Sequence, residues 1–163
     1  MSRSSRIFTL TIVMLVCIVV DQYTKYLARE FLSGGAPIHM IGDIFRLQFS
    51  LNPGAFLSIG DALPSGLRYW TFITGPALFL LGAAAYLIFS ANASPQFVFA
   101  LALSVAGGVS NLIDRVAAGG LVTDFLNVGI GRLRTGIFNV ADMALTFGVI
   151  WILLAGIFEG RRR

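Results

Sequence analysis

The sequence has few of the side chains on which most enzyme chemistry depends. Its single cysteine, Cys17, lies inside an apolar run, which excludes a disulfide framework and a cysteine-ligated metal site. His39 is the only histidine, so histidine triads and two-histidine zinc motifs are not expected. No glycine-rich phosphate loop is present either. We therefore expect neither a metal nor an organic cofactor.

Charge is also scarce. Charged residues make up 12% of the 163-residue chain and apolar residues 56%, and the mean hydropathy is +0.82. A soluble domain would be left with too much apolar surface, whereas a bilayer accepts such surface. The net charge of +4 comes largely from arginines near the two ends, Arg3, Arg6 and residues 161–163, which form no continuous basic face. Membrane lipids, and not nucleic acid, are the expected surroundings.

Four apolar runs are long enough to form helices that cross a bilayer, for which about 20 residues are needed. They predict spans at about 7–27, 69–90, 97–117 and 137–158. The first run lacks a small-residue cleavage site, so we expect it to remain as a span. Four crossings put both termini on one side, and the terminal arginines indicate that this side is cytoplasmic. We expect one domain, 1–163, that works as a monomer.

Both predicted outer connections, at about 31–68 and 118–136, contain alternating apolar and polar residues. The first alternation predicts a strand with one apolar face that ends at Pro53-Gly54. Its apolar positions are Phe45, Leu47, Phe49 and Leu51, and a weaker second strand has Val122, Asp124, Leu126, Val128 and Ile130 in one phase. The predicted fold class is therefore a membrane all-α bundle of four transmembrane helices with a small extracytoplasmic β element.

Three of the four spans carry polar groups at a similar depth. Counted along the helices, Asp21 and Asn111 lie roughly 21 Å from the inner boundary, and Asp142 lies roughly 24 Å from it. Charged groups in hydrocarbon cost a few kcal/mol each, so they usually face the bundle interior or a watery cavity. The second span has no ionisable residue and is assigned to packing, with a kink expected at Gly75-Pro76. The polar layer is thus predicted near the outer surface.

Helical spacing groups these residues further, and each group also has a purely structural interpretation. Asp21 and Lys25 are i, i+4 neighbours on the first span, and their structural interpretation is a salt bridge at the membrane interface. Asn111, Asp114 and Arg115 could equally form a network that holds the third helix, or Arg115 could bind substrate backbone or a lipid phosphate. Asn139 and Asp142, at i and i+3, are predicted to share a face of the fourth helix. The structural interpretation of Asp142 is a buried ion-pair partner for Arg115 or Lys25.

Elimination leaves a carboxylate pair, Asp124 and Asp142, as the candidate for catalysis. Two close carboxylates do not both ionise readily; one keeps a proton while the other activates a water toward a peptide carbonyl. A proton-coupled small membrane carrier could use the same acidic cluster. A carrier needs access from both sides, however, and the inner halves of the spans contain little that is polar. A membrane scaffold would leave the clustered acids unexplained.

At this point the chain resembles the lipoprotein signal peptidases (signal peptidase II), integral-membrane aspartyl proteases of bacteria. The resemblance covers nearly the whole chain, and its motifs are specific in combination and order. They are Asp21-x-x-Thr24-Lys25, Asn52-x-Gly54-Ala55-Phe56, Gly107-Gly108-x-x-Asn111-x-Ile113-Asp114-Arg115, Val122-x-Asp124-Phe125 and Phe138-Asn139-x-Ala141-Asp142.

The resemblance implies roles for these residues. Asp124 and Asp142 would be the catalytic pair, and Asp21 and Lys25 would support the site. The residues around the substrate would be Asn52 with Gly54, Asn111, Arg115 and Asn139, with Asp114 as a structural polar group. The substrate would be a prolipoprotein, cut just before a cysteine that carries diacylglycerol, at the outer face of the bacterial inner membrane. One departure is that Phe56 and Leu57 directly follow Ala55, where the family often has a second alanine.

Overall fold

Long helices account for most of the protein, which we describe from a computed structural model covering residues 1–54, 64–90 and 93–160. Three helical segments, Arg3–Leu32, Trp70–Phe89 and Pro95–Ala117, are long and apolar enough to cross a membrane, and Val140–Gly156 forms a shorter apolar helix. The helices are α1 (Arg3–Leu32), α2 (Ser65–Tyr69), α3 (Gly75–Phe89), α4 (Pro95–Ala117) and α5 (Val140–Gly160). All four predicted helical regions are therefore helical, and the four membrane crossings stay a prediction.

The observed helix ends differ from the predicted spans where the sequence continues in helical conformation beyond the apolar run. Helix α1 begins at Arg3 and ends at Leu32, so it extends past the predicted 7–27 at both ends. Helix α5 begins at Val140 and not at residue 137, because Asn139 caps it, as described below. Three features of the sequence lie outside the described residues: the Phe56-Leu57 departure, part of the connection expected on the inner side between the second and third predicted spans, and the arginines at 161–163.

A π-helical turn, Trp70–Thr74, joins α2 to α3 directly before Gly75-Pro76. Proline has no N–H, so a helix that contains it loses one i→i−4 hydrogen bond, and a local change of helical pitch is a common response. The irregularity expected at Gly75-Pro76 thus takes the form of a wider helical turn on its N-terminal side.

The β element is a four-stranded antiparallel sheet in the order β1-β2-β3-β4. Its strands are β1 (Ile38–Met40), β2 (Phe45–Asn52), β3 (Val122–Ile130) and β4 (Leu133–Arg134). The predicted strands at 45–52 and 122–130 coincide with β2 and β3, while β1 and β4 were not predicted. The sheet packs on the C-terminal end of α1, where Ala28, Leu32 and Phe125 form a small core.

The prediction of one continuous apolar face on β2 is wrong. Leu47 pairs with Leu126, but Ser50 pairs with Asp124, so the register shifts by one residue between them. Such a β-bulge reverses which residues of β2 face each side of the sheet. Leu51 consequently leaves the face of Leu47 and is 47% exposed, while Asn52 joins the face that carries Asp124.

Helix α4 lies at the centre of the bundle and packs against α1, α3 and α5. Glycines permit its close approach to α5: a β-carbon at Gly107 would overlap the carbonyl oxygen of Ala141, and one at Gly148 would overlap Ser104. An apolar core fills the half of the bundle farther from the sheet, and its fully buried members are Leu10, Leu80, Leu87, Val98, Ala102 and Val105. Polar groups are concentrated at the sheet end.

Candidate active site

Asp124 projects from β3 into the protein and is 2% exposed. The amide of Asn52 donates to its Oδ2 at 3.0 Å, and the amide of Asn139 donates to its Oδ1 at 2.7 Å. Asn52 reaches Asp124 because the bulge in β2 puts both side chains on the same face. The Asn52 Oδ1 also accepts from the backbone N–H of Gly54 at 3.0 Å, which orients the Asn52 amide.

Asp142 lies in the first turn of α5 and takes part in a reciprocal capping interaction with Asn139. The N–H of Asp142 donates to Asn139 Oδ1 at 2.9 Å, and the N–H of Asn139 donates to Asp142 Oδ2 at 3.1 Å. Asn139 is therefore the N-cap of α5, and Asp142 is its third helical residue. The prediction that both residues share a face within the helix is wrong, although the i, i+3 spacing does bring their side chains together.

Two asparagine amides connect the aspartates to each other and to the rest of the site. Asn139 Nδ2 donates to Asp124 Oδ1 and, at 3.1 Å, to Asn111 Oδ1. Asn111 Nδ2 in turn donates to Asp142 Oδ1 at 2.8 Å. Each aspartate thus accepts a hydrogen bond from an amide whose oxygen is itself occupied. The contacts leave the orientation of both amides uniquely determined.

A buried ionic cluster lies directly behind the asparagines. Lys25, which is 0% exposed, contacts Asp21 Oδ2 at 2.7 Å and Asp114 Oδ2 at 3.1 Å, and donates to Asn111 Oδ1 at 2.9 Å. All three ammonium donors are therefore used, and Lys25 and Asp21 form a buried pair and not an interfacial one. Thr24 is not part of this cluster, because its hydroxyl donates back to its own helix, at Val20 and Asp21.

Sequence reasoning missed four residues that complete this cluster. Arg29 donates to the Thr123 hydroxyl at 2.9 Å and lies 3.6 Å from Asp114. Gln22 donates to Asp114 at 2.8 Å, and Ser110 donates to Asp21 at 2.7 Å. Helical spacing was an available signal for two of them, since Arg29 is one turn beyond Lys25 and Ser110 is four residues before Asp114. Thr123 had no comparable signal, because it lies on a strand and not on a helix face, and one of its contacts is made by its backbone N–H.

Arg115 lies at the end of α4, beside the aspartates. Its Nη2 donates to the carbonyl oxygen of Gly54 at 2.9 Å, and its Nε is buried without a hydrogen-bond partner among the described residues. Neither Arg115 nor Lys25 forms an ion pair with Asp142 in the part of the chain described here. A cavity of about 390 Å³ opens next to Arg115, and it is lined mainly by Pro53, Tyr69, Phe72, Ile73, Val116 and Leu121.

The environment of Asp124 favours its protonated form. Burial, and to a smaller extent the nearby charge of Asp142, raise the pKa of Asp124 to about 6, against the lowering effect of the hydrogen bonds from Asn52 and Asn139. A carboxyl group that retains its proton toward neutral pH can act as an acid beside an ionised partner. Among the described residues, no three His, Cys, Asp or Glu side chains are grouped so that they could hold a metal ion.

Comparison with known families supports the resemblance noted in the sequence. The sequence model of the family described as "Signal peptidase (SPase) II" matches residues 13–158. The chain is 37% identical over 147 residues to a "Lipoprotein signal peptidase" of Brevibacillus brevis, covering 90% of this chain and 93% of that protein. It is 34% identical over 151 residues to one of Halalkalibacterium halodurans, covering 93% of each chain.

Two solved structures have the same fold. One, described as a bacterial membrane enzyme determined by the in meso method at 2.3 Å resolution, superposes with a TM-score of 0.83 at 28% identity and covers 96% of this chain and 92% of that one. A second bacterial membrane enzyme, determined by the same method at 1.9 Å, gives a TM-score of 0.77 at 28% identity, over 91% and 92% of the two chains.

Proposed function

The chain belongs to the signal peptidase II family, and we propose that it removes the signal peptide from prolipoproteins by an aspartyl mechanism. The bond cut lies on the N-terminal side of the cysteine that carries diacylglycerol. The observation that carries this proposal is that one buried asparagine, Asn139, is hydrogen-bonded to both Asp124 and Asp142. Asp124 is buried and Asp142 is half-buried, and Arg115, on which both of their charges act, lines the neighbouring cavity.

The two aspartates take different parts in the reaction. Asp142, ionised, accepts a proton from a water molecule, whose oxygen then attacks the scissile carbonyl carbon. Asp124, whose pKa is raised to about 6, supplies its proton to the carbonyl oxygen as that oxygen gains charge. The C–N bond of the tetrahedral intermediate breaks as Asp142 passes its proton to the departing amine nitrogen. A hydroxyl proton of the intermediate returns to Asp124 as the product carbonyl forms, which restores both groups. The asparagine amides hold both carboxylates in the required orientation throughout.

The cavity and Arg115 suit the substrate. The cavity is lined chiefly by apolar side chains, as an acylated or signal-peptide segment requires. At the edge of the cavity, Arg115 Nη2 donates to the Gly54 carbonyl, and its buried Nε has no hydrogen-bond partner within residues 1–54, 64–90 and 93–160. A peptide or ester carbonyl of the substrate would satisfy that donor, since leaving it unpaired costs about 1–3 kcal/mol. Bound substrate therefore lies between Arg115 and the aspartates.

We also propose a membrane arrangement that is compatible with this geometry. We place the protein in the bacterial inner membrane with four crossings, both termini in the cytoplasm, and the sheet and the aspartates at the outer face. A lipid-anchored cysteine lies at that face, so its neighbouring peptide bond can reach the aspartates without leaving the bilayer surface. The protein works as a monomer surrounded by membrane lipids.

A proton-coupled carrier is disfavoured by the packing of the other half of the bundle. A carrier needs a polar route that reaches both sides. Here α1, α3 and α4 pack against one another through an apolar core that includes Leu10, Leu87 and Val98. The described polar network ends on the sheet side of that core.

The test is replacement of each aspartate by its amide. Asp124→Asn and Asp142→Asn are expected to leave the protein inserted, with lipid-modified but uncleaved precursor accumulating in cells that lack other copies of the enzyme. Asp43→Asn is the matched control, because Asp43 is a carboxylate of the sheet that pairs with Arg46, away from the site. Normal processing by either active-site variant would refute the mechanism.

A further inference from the structure

Two carboxylates that do not belong to the reacting pair each hold the backbone beside one member of it. Asp114 Oδ2 accepts from the N–H of Thr123, the residue before Asp124, at 3.0 Å. Asp21 Oδ1 accepts from the N–H of Ala141, the residue before Asp142, at 2.8 Å. The two contacts are equivalent: in each, a buried carboxylate on a long helix binds the peptide N–H that immediately precedes a reacting aspartate.

The first contact attaches β3 to α4. Thr123 is 2% exposed, and its hydroxyl also accepts from Arg29, so both its backbone and its side chain are held from the helical bundle. Asp114 is 2% exposed as well. This attachment restrains the backbone of β3 next to Asp124.

The second contact attaches the start of α5 to α1. Asp21 is 0% exposed, and its second oxygen is occupied by the Ser110 hydroxyl and by Lys25. Ala141 is 1% exposed and lies where α5 passes closest to Gly107. The first turn of α5 is thus held on two sides.

One cation joins the two contacts. Lys25 Nζ lies 2.7 Å from Asp21 and 3.1 Å from Asp114, and its third donor binds Asn111, whose amide donates to Asp142. From the peptide before Asp142, a continuous path of short contacts runs through Asp21, Lys25 and Asp114 to the peptide before Asp124. We propose that Lys25 is a positioning residue that sets the separation of Asp124 and Asp142 by bridging the two carboxylates that hold their backbones.

This proposal rests on the proposed function and makes a distinct kinetic claim. Lys25 lies behind the asparagines and not in the cavity, so its loss should leave substrate binding intact and impair only the chemical step. A displacement of reacting groups by about 1 Å can cost on the order of 100-fold in rate. A role confined to folding would instead reduce the amount of folded enzyme without changing the kcat of what remains.

The experiment measures kcat and KM for cleavage of a synthetic diacylglyceryl-modified precursor by purified, detergent-solubilised enzyme. The concentration of folded enzyme is taken from the fraction that is monodisperse and unfolds cooperatively. Lys25→Met is expected to lower kcat about 100-fold with KM within about threefold of wild type. Arg6→Met is the matched control: Arg6 is a buried cation on the same helix that binds the Leu87 and Ile88 carbonyls at the opposite end of the bundle. It should lower stability and leave kcat unchanged.

A double-mutant cycle tests the bridge even if Lys25→Met does not fold. Asp21→Asn and Asp114→Asn each remove one charged partner of Lys25 while retaining an oxygen for the peptide N–H. If Lys25 couples them, the double variant should have nearly the same kcat as the more impaired single variant, because either change breaks the same bridge. Multiplied effects would overturn the proposal, as would an unchanged kcat or a raised KM in Lys25→Met. Failure of the wild type to cleave the precursor would instead refute the proposed function.

Discussion

Asn139 combines two tasks that a pair of substitutions can separate. Its side-chain oxygen caps α5 by accepting from the N–H of Asp142, and its side-chain nitrogen donates to Asp124 at 2.7 Å. Serine is a good N-cap residue but is too short to reach Asp124, whereas alanine does neither. Asn139→Ser should therefore retain the cap and lose the contact with Asp124, and Asn139→Ala should lose both.

The magnitudes follow from the two kinds of hydrogen bond. Asp124 becomes a carboxylate as it gives up its proton, and a hydrogen bond to a charged group contributes about 1.5–3 kcal/mol. This corresponds to a loss of about 10- to 150-fold in kcat/KM if Asn139 stabilises that charge. Both variants should show this loss. The N-cap contributes about 1 kcal/mol, so Asn139→Ala should be less stable than Asn139→Ser by about that amount.

The assay pairs cleavage kinetics on a diacylglyceryl-modified precursor with thermal unfolding in detergent. Equal kinetic losses with unequal unfolding midpoints are the expected result. If Asn139→Ser cleaved within about threefold of the wild-type rate, the amide contact with Asp124 would not contribute to catalysis. If instead the two variants were equally stable, the capping role of Asn139 would be refuted.

Two further predictions concern titration and helix packing. Because the pKa of Asp124 is raised to about 6, Asp124 keeps its proton below that pH and loses it above. We therefore expect kcat/KM to fall about tenfold per pH unit as the pH rises beyond the apparent pKa of the pair. A pH-rate profile that is flat from about 5 to 9 would contradict the assignment of the proton to Asp124. Gly107→Ala should displace Ala141, destabilise the protein by about 1–3 kcal/mol and lower kcat, as measured by thermal unfolding and by cleavage. Gly82→Ala is the control: an added β-carbon there meets nothing within 4 Å, so stability and kcat should not change.

Much of the fold could be predicted because the bilayer demands long apolar helices, and apolar runs are visible in one dimension. The strands at 45–52 and 122–130 were also predictable from alternation. The bulge in β2 was not, because a register shift depends on the partner strand and leaves no mark in the alternation itself. That hidden shift decides which face Asn52 lies on, and hence whether it can reach Asp124.

The sequence singled out Asp124 and Asp142, whose catalytic role stays a prediction, but it did not indicate the contacts that support them. Scarcity made Asp124 and Asp142 conspicuous, since few acids occur in this chain and the family motifs contain both. The contacts of Asp21 with Ala141 and of Asp114 with Thr123 use backbone N–H groups, which every residue has, so no residue type indicates them. Asn139 was assigned to the helix face because its spacing to Asp142 fits both a helical pair and a cap.

The charges around Asp124 and Asp142 favour a single proton on the pair, as the proposed mechanism requires. Lys25 and Arg29 offset Asp21 and Asp114, which leaves the reacting pair to be balanced by Arg115, on which the charges of Asp124 and Asp142 act. With both aspartates ionised, this region would carry one uncompensated negative charge in a setting where charge is expensive. One proton on the pair makes the sum zero. The cluster of Lys25, Arg29, Asp21 and Asp114 is neutral by itself, so it leaves one positive charge, that of Arg115, for two carboxylates. That ratio favours the acid-plus-base form on which the proposed water activation depends.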